Sequence, residues 1–306
     1  MRYILENDTL RVEIESFGAE VKSIKAKASG QEYMWYADKK YWGRTSPVLF
    51  PFVGSIMNKQ FSYDGKTYPM GQHGFARDME HTMISCCEDT IWFELKSCEE
   101  TLQKYPFAFV LNVGYTLCGN EVKVMWKVTN PGQESAQAYL SGPNAGNTEL
   151  IFSIGAHPAF ICPIHGEESK AGYRLYFEGV DEIHHHGNDV PTGMALREDI
   201  ILPLEDHRAV ITPDFFDRCT YMIEGKQTGC VGIEDPSGKR FVTVSFDTPL
   251  FAIWSPEGKN APFLCIEPWF GRCDAQDFAG TLEEREYNNV LAPGQSFETC
   301  YSMKFE

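Results

Sequence analysis

Several features are missing from this 306-residue chain, and each absence removes a class of function. No apolar run approaches the roughly 20 residues of a membrane-spanning helix. The opening segment Met1–Asp8 has no signal-peptide core, because an acidic residue and a turn interrupt it, so a cytoplasmic location is expected. Basic residues are in short supply: 27 Lys and Arg stand against 43 Asp and Glu, for a net charge of −16. That balance repels a nucleic-acid backbone and an anionic membrane at long range, so neither is expected as a partner. There is no G-x-G-x-x-G, no Walker loop and no G-x-S-x-G nucleophile elbow. Nothing suggests a cofactor. The ten cysteines include no C-x-x-C pair and are irregularly spaced, which reads as reduced, partly buried thiols. Helical periodicity is scarce too, with a turn or two expected at 99–104 and 282–286.

What is present is alternation. Leu10, Val12 and Ile14 lie two apart, as do Ile91, Phe93 and Leu95. A long series runs from Phe107 through Leu117, resumes after Gly119-Asn120 at Val122, and stops at Asn130-Pro131-Gly132. This predicts an antiparallel meander with one buried face. Asp64-Gly65 marks a tight hairpin turn. Further strands are expected at 174–177, 231–233, 242–246, 251–254, 263–267 and 297–304. The Gly142–Asn147 stretch reads as a loop and not as a domain boundary, so one all-β domain over 1–306 is expected. A β domain of this size must curl into stacked sheets.

Three short motifs carry titratable groups in apolar, Gly/Pro-punctuated surroundings: Gln72–Arg77, Ile154–Phe160 and Cys265–Trp269. Glu267 follows the apolar run Phe263–Ile266, with Pro268 read as the end of that strand. A carboxylate there is either a salt-bridge or rim residue, or a buried base with a raised pKa. His157 and His73, each taken alone, read as ordinary core or turn histidines. Two histidines and one carboxylate together form a kit for general acid–base chemistry on a neutral substrate. Arg44 and Arg77 can fork onto hydroxyls or a carboxylate, or make structural ion pairs. His184-His185-His186 reads as an exposed loop and not a metal site, because neighbouring residues in a strand face opposite ways.

The series from Arg44–Pro51 through Tyr63–Tyr68, His73–Arg77, Tyr105–Phe107, Asn130–Gly132, His157–Phe160 and Glu267–Trp269 to Leu291–Gly294 resembles the aldose 1-epimerase (galactose mutarotase-like) family, in particular its LacX-like branch. The resemblance spans nearly the whole chain. It implies a β-supersandwich of stacked antiparallel sheets with a sugar site in an open cleft. It also implies anomer interconversion of an aldose without cofactor or metal. Glu267 would take the C1 hydroxyl proton, His157 would protonate the ring oxygen, and His73 would bind or orient the sugar. Lys59 stands where the galactose mutarotases proper carry an arginine, so Arg44 and Arg77 are the preferred substitutes. Asp217 is the nearest match to the family's substrate-binding aspartate. Trp269 is the preferred aromatic contact, two residues beyond Glu267. The expected substrate is a free hexose such as galactose or glucose. A hexose 6-phosphate, or sugar binding without catalysis, are the alternatives. A monomer or a homodimer is expected.

Overall fold

The computed structural model describes residues 1–137 and 148–306. The expected Gly142–Asn147 loop lies outside the described residues. Strands dominate, because β-branched and aromatic side chains recur every second residue and bury one face of each segment. In Glu121–Thr129, Val122, Val124, Trp126 and Val128 are buried, while the residues between them are not.

Three antiparallel sheets build the body. The first joins Arg2–Glu6, Leu10–Glu15 and Glu20–Ala26. The second has nine strands. Its meander runs Thr82–Cys86, Thr90–Lys96, Val110–Cys118 and Glu121–Thr129. The C-terminal strand Ser296–Phe305 lies beside the last of these, followed by Arg240–Phe246, Cys230–Glu234, Arg174–Phe177 and Arg208–Val210. The third sheet runs Tyr221–Glu224, Leu250–Trp254, Phe263–Phe270, Ile154–Ala156 and Val48–Leu49, with Ala159–Ile161 also paired to Phe263–Phe270.

Aromatic contacts fasten these sheets face to face. Phe246 meets Phe251 at 4.9 Å, Phe297 meets Phe270 at 5.0 Å and Phe109 meets Phe50 at 5.0 Å between ring centres. Tyr3 on Phe93 at 5.4 Å and the Tyr115 hydroxyl donating to Ala19 O at 2.5 Å bind the three-stranded sheet to the meander. This is the stacked antiparallel arrangement expected. The Asp64-Gly65 turn has both residues at positive φ, +48° and +69°, as a two-residue type I′ hairpin requires. The short helix Glu99–Lys104 and the 3₁₀ turn Leu282–Glu284 form within the stretches named for them. Among the described residues, no helix is long and apolar enough to cross a membrane.

One expectation is corrected. Pro268 does not end its strand, which runs from Phe263 to Phe270. A proline breaks a sheet where its missing N–H deprives a neighbour of a ladder bond. Here the strand beside it is itself interrupted between Ala156 and Ala159. The Ala156 carbonyl, opposite Pro268 in the continued register, accepts from the Trp269 indole at 3.1 Å instead.

The Phe263–Phe270 strand is buried on both faces. Leu264 and Ile266 point into the main core between the sheets. Phe263 and Cys265 join a smaller cluster with Trp35, and Trp269 joins another with Leu49 and Val53. Truncating Ile266 to Ala should therefore destabilise the protein by about 2–5 kcal/mol, read from the urea midpoint. A loss under about 1 kcal/mol would contradict this account of the core.

Candidate active site

Strand register brings the acid–base groups together. Gly155 pairs with Trp269, and Ala159 pairs with Cys265. Carried across the break between them, the same register sets His157 opposite Glu267. Residues opposite each other in an antiparallel pair project to the same side. His157 Nε2 accordingly lies 3.3 Å from Glu267 Oε2. Both side chains are buried, Glu267 to 1% exposure.

Burial dominates their protonation. It pushes the Glu267 carboxyl well above the ordinary carboxylate range, with the Trp269 indole N–H opposing the shift. It pulls His157 down to about 3, with the Arg77 charge acting in the same direction. Glu267 Oε2 and His157 Nδ1 are buried without a hydrogen-bond partner. Native interiors rarely tolerate such atoms unless they serve a ligand or a reaction.

His73 comes from a tight turn. It sits at φ +64° and is followed by Gly74 at φ +68°. Its backbone N–H donates to Gly54 O at 2.9 Å, and the Gly54 N–H donates to His73 Nδ1 at 3.0 Å. Because Nδ1 accepts, the proton of the neutral ring is on Nε2, which leaves that nitrogen as a donor. Burial holds the ring neutral, well below the usual histidine range, with help from Arg77, His157 and Arg44. The His73 and His157 rings meet edge to face at 5.5 Å.

The cleft around these groups holds about 410 Å³, within the range of small-molecule sites. Arg44 and Arg77 share a wall. Arg44 donates to Asp78 Oδ1 at 2.8 Å, and Arg77 donates to the Gln72 carbonyl at 2.7 Å. Arg77 Nε is buried without a hydrogen bond, with Asp78 Oδ2 3.8 Å away. Burial and the Arg44 charge lower Arg77 to about 10. Trp42 stacks on His157 at 4.6 Å, and Trp254 meets the same ring edge-on at 5.3 Å. Trp269 is 4% exposed and forms floor beside Glu267.

Glu267, His157, His73, Arg44, Arg77 and Trp269 thus all line one cleft. Asp217 is not among its lining residues. It is exposed, and its carboxylate accepts from Gly258 N at 3.2 Å in the loop that carries Glu257 to the rim. Lys59 is exposed at the end of a 3₁₀ turn and does not line the cleft either. The three consecutive histidines do not converge. Nor are they the exposed loop expected: His184 and His185 end the strand Glu182–His185, with His185 buried and His184 half-buried between Glu182 and Asp199.

The sequence reading missed the opposite rim. Asn188, Thr192 and Thr220 face the cleft there. Asn188 Oδ1 accepts from Thr220 N at 2.7 Å, and the Gly193 N–H donates to Asp189 O at 2.6 Å. The Asn188–Gly193 stretch signals only a turn, so nothing local marks it as a wall. The supports were missed as well. Glu20 Oε1 accepts from Thr45 N and Ser46 N, both at 2.8 Å, which fixes the segment after Arg44. Asp274 accepts from Met57 N at 2.7 Å and from Arg285 Nε at 2.6 Å, and its N–H donates to Ser55 O at 3.0 Å. That network clamps the Gly54–Ser55 wall against Cys273.

Among the described residues, His157, Cys265 and Glu267 form a group whose potential ligand atoms all lie within 4.8 Å of one another. The remaining polar groups of the cleft are donors and acceptors suited to hydroxyls.

Fold and site together define a class. The chain belongs to the aldose 1-epimerase family, whose model matches residues 1–304. It is 29% identical over 306 residues to the chromosomal LacX protein of Lactococcus lactis subsp. lactis, covering 98% of this chain and 97% of that protein. Among solved structures it is similar to a galactose mutarotase related enzyme from Lactobacillus acidophilus. The TM-score is 0.89 at 32% identity, covering 100% of this chain and 97% of the other. A galactose mutarotase-like protein from Lactobacillus casei ATCC 334 gives 0.87 at 27% identity, with both chains fully covered.

Two expectations follow for the supports. Asp274 and Arg285 are each 2% exposed, so Asp274→Ala strands a buried guanidinium. It should destabilise the protein by about 3–5 kcal/mol in urea titration, and a neutral result would show that the clamp is dispensable. A Cβ on Gly74 would come 2.3 Å from Phe50 O at a positive φ. Gly74→Ala should therefore lose at least about 2 kcal/mol, and a midpoint shift near zero would contradict the close approach.

Proposed function

We propose that this protein is an aldose 1-epimerase that interconverts the α and β anomers of a free hexose such as galactose or glucose. The carrying observation is the 3.3 Å approach of His157 Nε2 to Glu267 Oε2 at the base of the cleft. The sugar sits with C1–OH at Glu267 and its ring oxygen at His157. Glu267 accepts the C1 hydroxyl proton while His157 donates a proton to the ring oxygen, and the C1–O5 bond breaks. The open-chain aldehyde turns about C1–C2. The C5 hydroxyl then attacks the other face of C1, returning its proton to His157, while Glu267 gives its proton to the carbonyl oxygen.

The electrostatics suit this cycle. One proton is shared by the pair throughout. In the empty cleft burial keeps it on Glu267; the reactive arrangement has it on His157 opposite a carboxylate, and ring opening returns it through the sugar to Glu267. Burial disfavours charge on either group. The open-chain stage, in which both are neutral, is therefore favoured over the charged pair that starts the cycle. His73 Nε2–H donates to a sugar hydroxyl and holds the ring against the pair. Trp42 and Trp254 cover an apolar face of the sugar, while Arg44 and Arg77 take hydroxyls on the other side.

A second reading, a hexose 6-phosphate, draws on one observation. Arg44 and Arg77 both line the cleft, and Arg77 Nε makes no hydrogen bond, with only Asp78 Oδ2 at 3.8 Å near it. A phosphate there would receive a bidentate fork.

Polarimetry separates these readings. Freshly dissolved α-D-galactose and α-D-glucose should lose excess rotation faster with the protein. Glu267→Gln and His157→Gln should each slow the catalysed rate by about 10²–10⁴-fold while the circular dichroism spectrum is retained. The double variant should be little slower than either single one, because the two act as a unit. Folded protein that accelerates neither sugar overturns the free-hexose reading. Acceleration confined to hexose 6-phosphates, with inorganic phosphate competing, would establish the second. Sugar binding without acceleration of any would leave a carbohydrate-binding protein.

A further inference from the structure

We propose that the floor of this cleft is also a site for a soft divalent cation, Zn²⁺ above all, held by His157, Glu267 and Cys265. Three independent features of the geometry point to it. Cys265 and Glu267 are two residues apart on one strand, so their side chains leave the same face of the sheet. His157 arrives opposite them from the paired strand, and the potential ligand atoms of the three lie within 4.8 Å of one another. Two of these atoms already have the right spacing. Zinc bonds of about 2.0–2.2 Å to nitrogen and oxygen at a tetrahedral angle separate the two ligands by about 3.3–3.5 Å. The observed Nε2 to Oε2 separation is 3.3 Å. Finally, Glu267 Oε2 is buried without a hydrogen-bond partner in a side chain only 1% exposed, so an acceptor stands ready for a cation.

The ligand set decides which cation. Thiolate and imidazole select zinc-like metals over Mg²⁺ and Ca²⁺, which prefer all-oxygen sites. Arg44 and Arg77 stand on the cleft wall and repel any cation, so a hard ion bound by charge alone is disfavoured. On binding, the Cys265 thiol releases its proton to solvent, as does the His157–Glu267 pair. Zn²⁺ with one thiolate, one carboxylate and a neutral imidazole is then uncharged, which a buried site accommodates. The fourth position opens on the cleft and would hold water, as in three-ligand zinc sites generally. Because the ion uses both His157 and Glu267, zinc and sugar exclude each other. This last consequence rests on the proposed activity; the binding itself does not.

Cobalt(II) provides a readout separate from activity. Cys86 and Cys87 are adjacent and exposed, so the parent is the Cys86→Ser, Cys87→Ser protein, kept reduced with a phosphine. Titration with Co²⁺ should give a thiolate-to-cobalt charge-transfer band and the intense visible bands of tetrahedral cobalt, saturating near one equivalent. Zn²⁺ should erase both, and Mg²⁺ neither. Cys265→Ser should remove the charge-transfer band and weaken binding by more than about tenfold, since loss of an outer-shell partner alone costs about 10–100-fold. Whatever sugar activity this variant retains should no longer be inhibited by zinc at the concentration that inhibits the parent. Absence of the charge-transfer band in the parent overturns the proposal, as does an unchanged spectrum in Cys265→Ser. Where Cys265→Ser does not fold, Glu267→Gln decides. It should keep the charge-transfer band and lose affinity, and unchanged affinity overturns the site.

Discussion

The register between Phe263–Phe270 and the broken strand beside it is the constraint on which the site depends. Gly155 opposite Trp269 and Ala159 opposite Cys265 leave His157 no position except across from Glu267. A slip of one residue would send Glu267 into the core between the sheets, in place of Ile266, where a carboxylate has no counterpart. The same slip would expose core side chains to the cleft. Packing of Leu264 and Ile266 therefore holds the catalytic geometry, although neither residue approaches the cleft.

Burial does two opposing things at that point. It destabilises the fold by leaving Glu267 Oε2 and His157 Nδ1 without partners. It also moves both groups toward neutrality, the state the proposed cycle reaches when the sugar ring is open. The surrounding clamps offset the destabilisation. Glu20 fixes the segment after Arg44, Gly54 fixes His73, and the Asp274–Arg285 pair fixes Ser55 and Met57.

Charge is arranged in a similar way. The chain is strongly acidic, yet Arg44 and Arg77 stand together on the cleft wall. Their field lowers the proton affinity of His157 and His73. It also gives the cleft a local character that the net charge conceals. The two proposals share this floor: proton transfer by His157 and Glu267 and, with Cys265 added, coordination of a soft metal.

Local patterns were legible in the sequence because they depend on neighbours. Two-residue alternation marked the meander, Asp64-Gly65 marked a hairpin, and the His73, His157 and Glu267 motifs stood out as polar groups in apolar stretches. All three motifs reached the cleft, together with Arg44, Arg77 and Trp269. Features that depend on distant partners were not legible. Pro268 looked like a strand end, because nothing local shows that the neighbouring strand is interrupted beside it. Asp217 looked available, but its carboxylate is turned to Gly258. The Asn188–Thr192 rim, the Asp274–Arg285 clamp and the place of Cys265 beside the acid–base pair carry no local mark. Side-chain alternation is a property of a single strand, so the sequence alone determined which residues could share a face. Register is a pairing between segments more than a hundred residues apart, so only the tertiary structure decided which of those faces met.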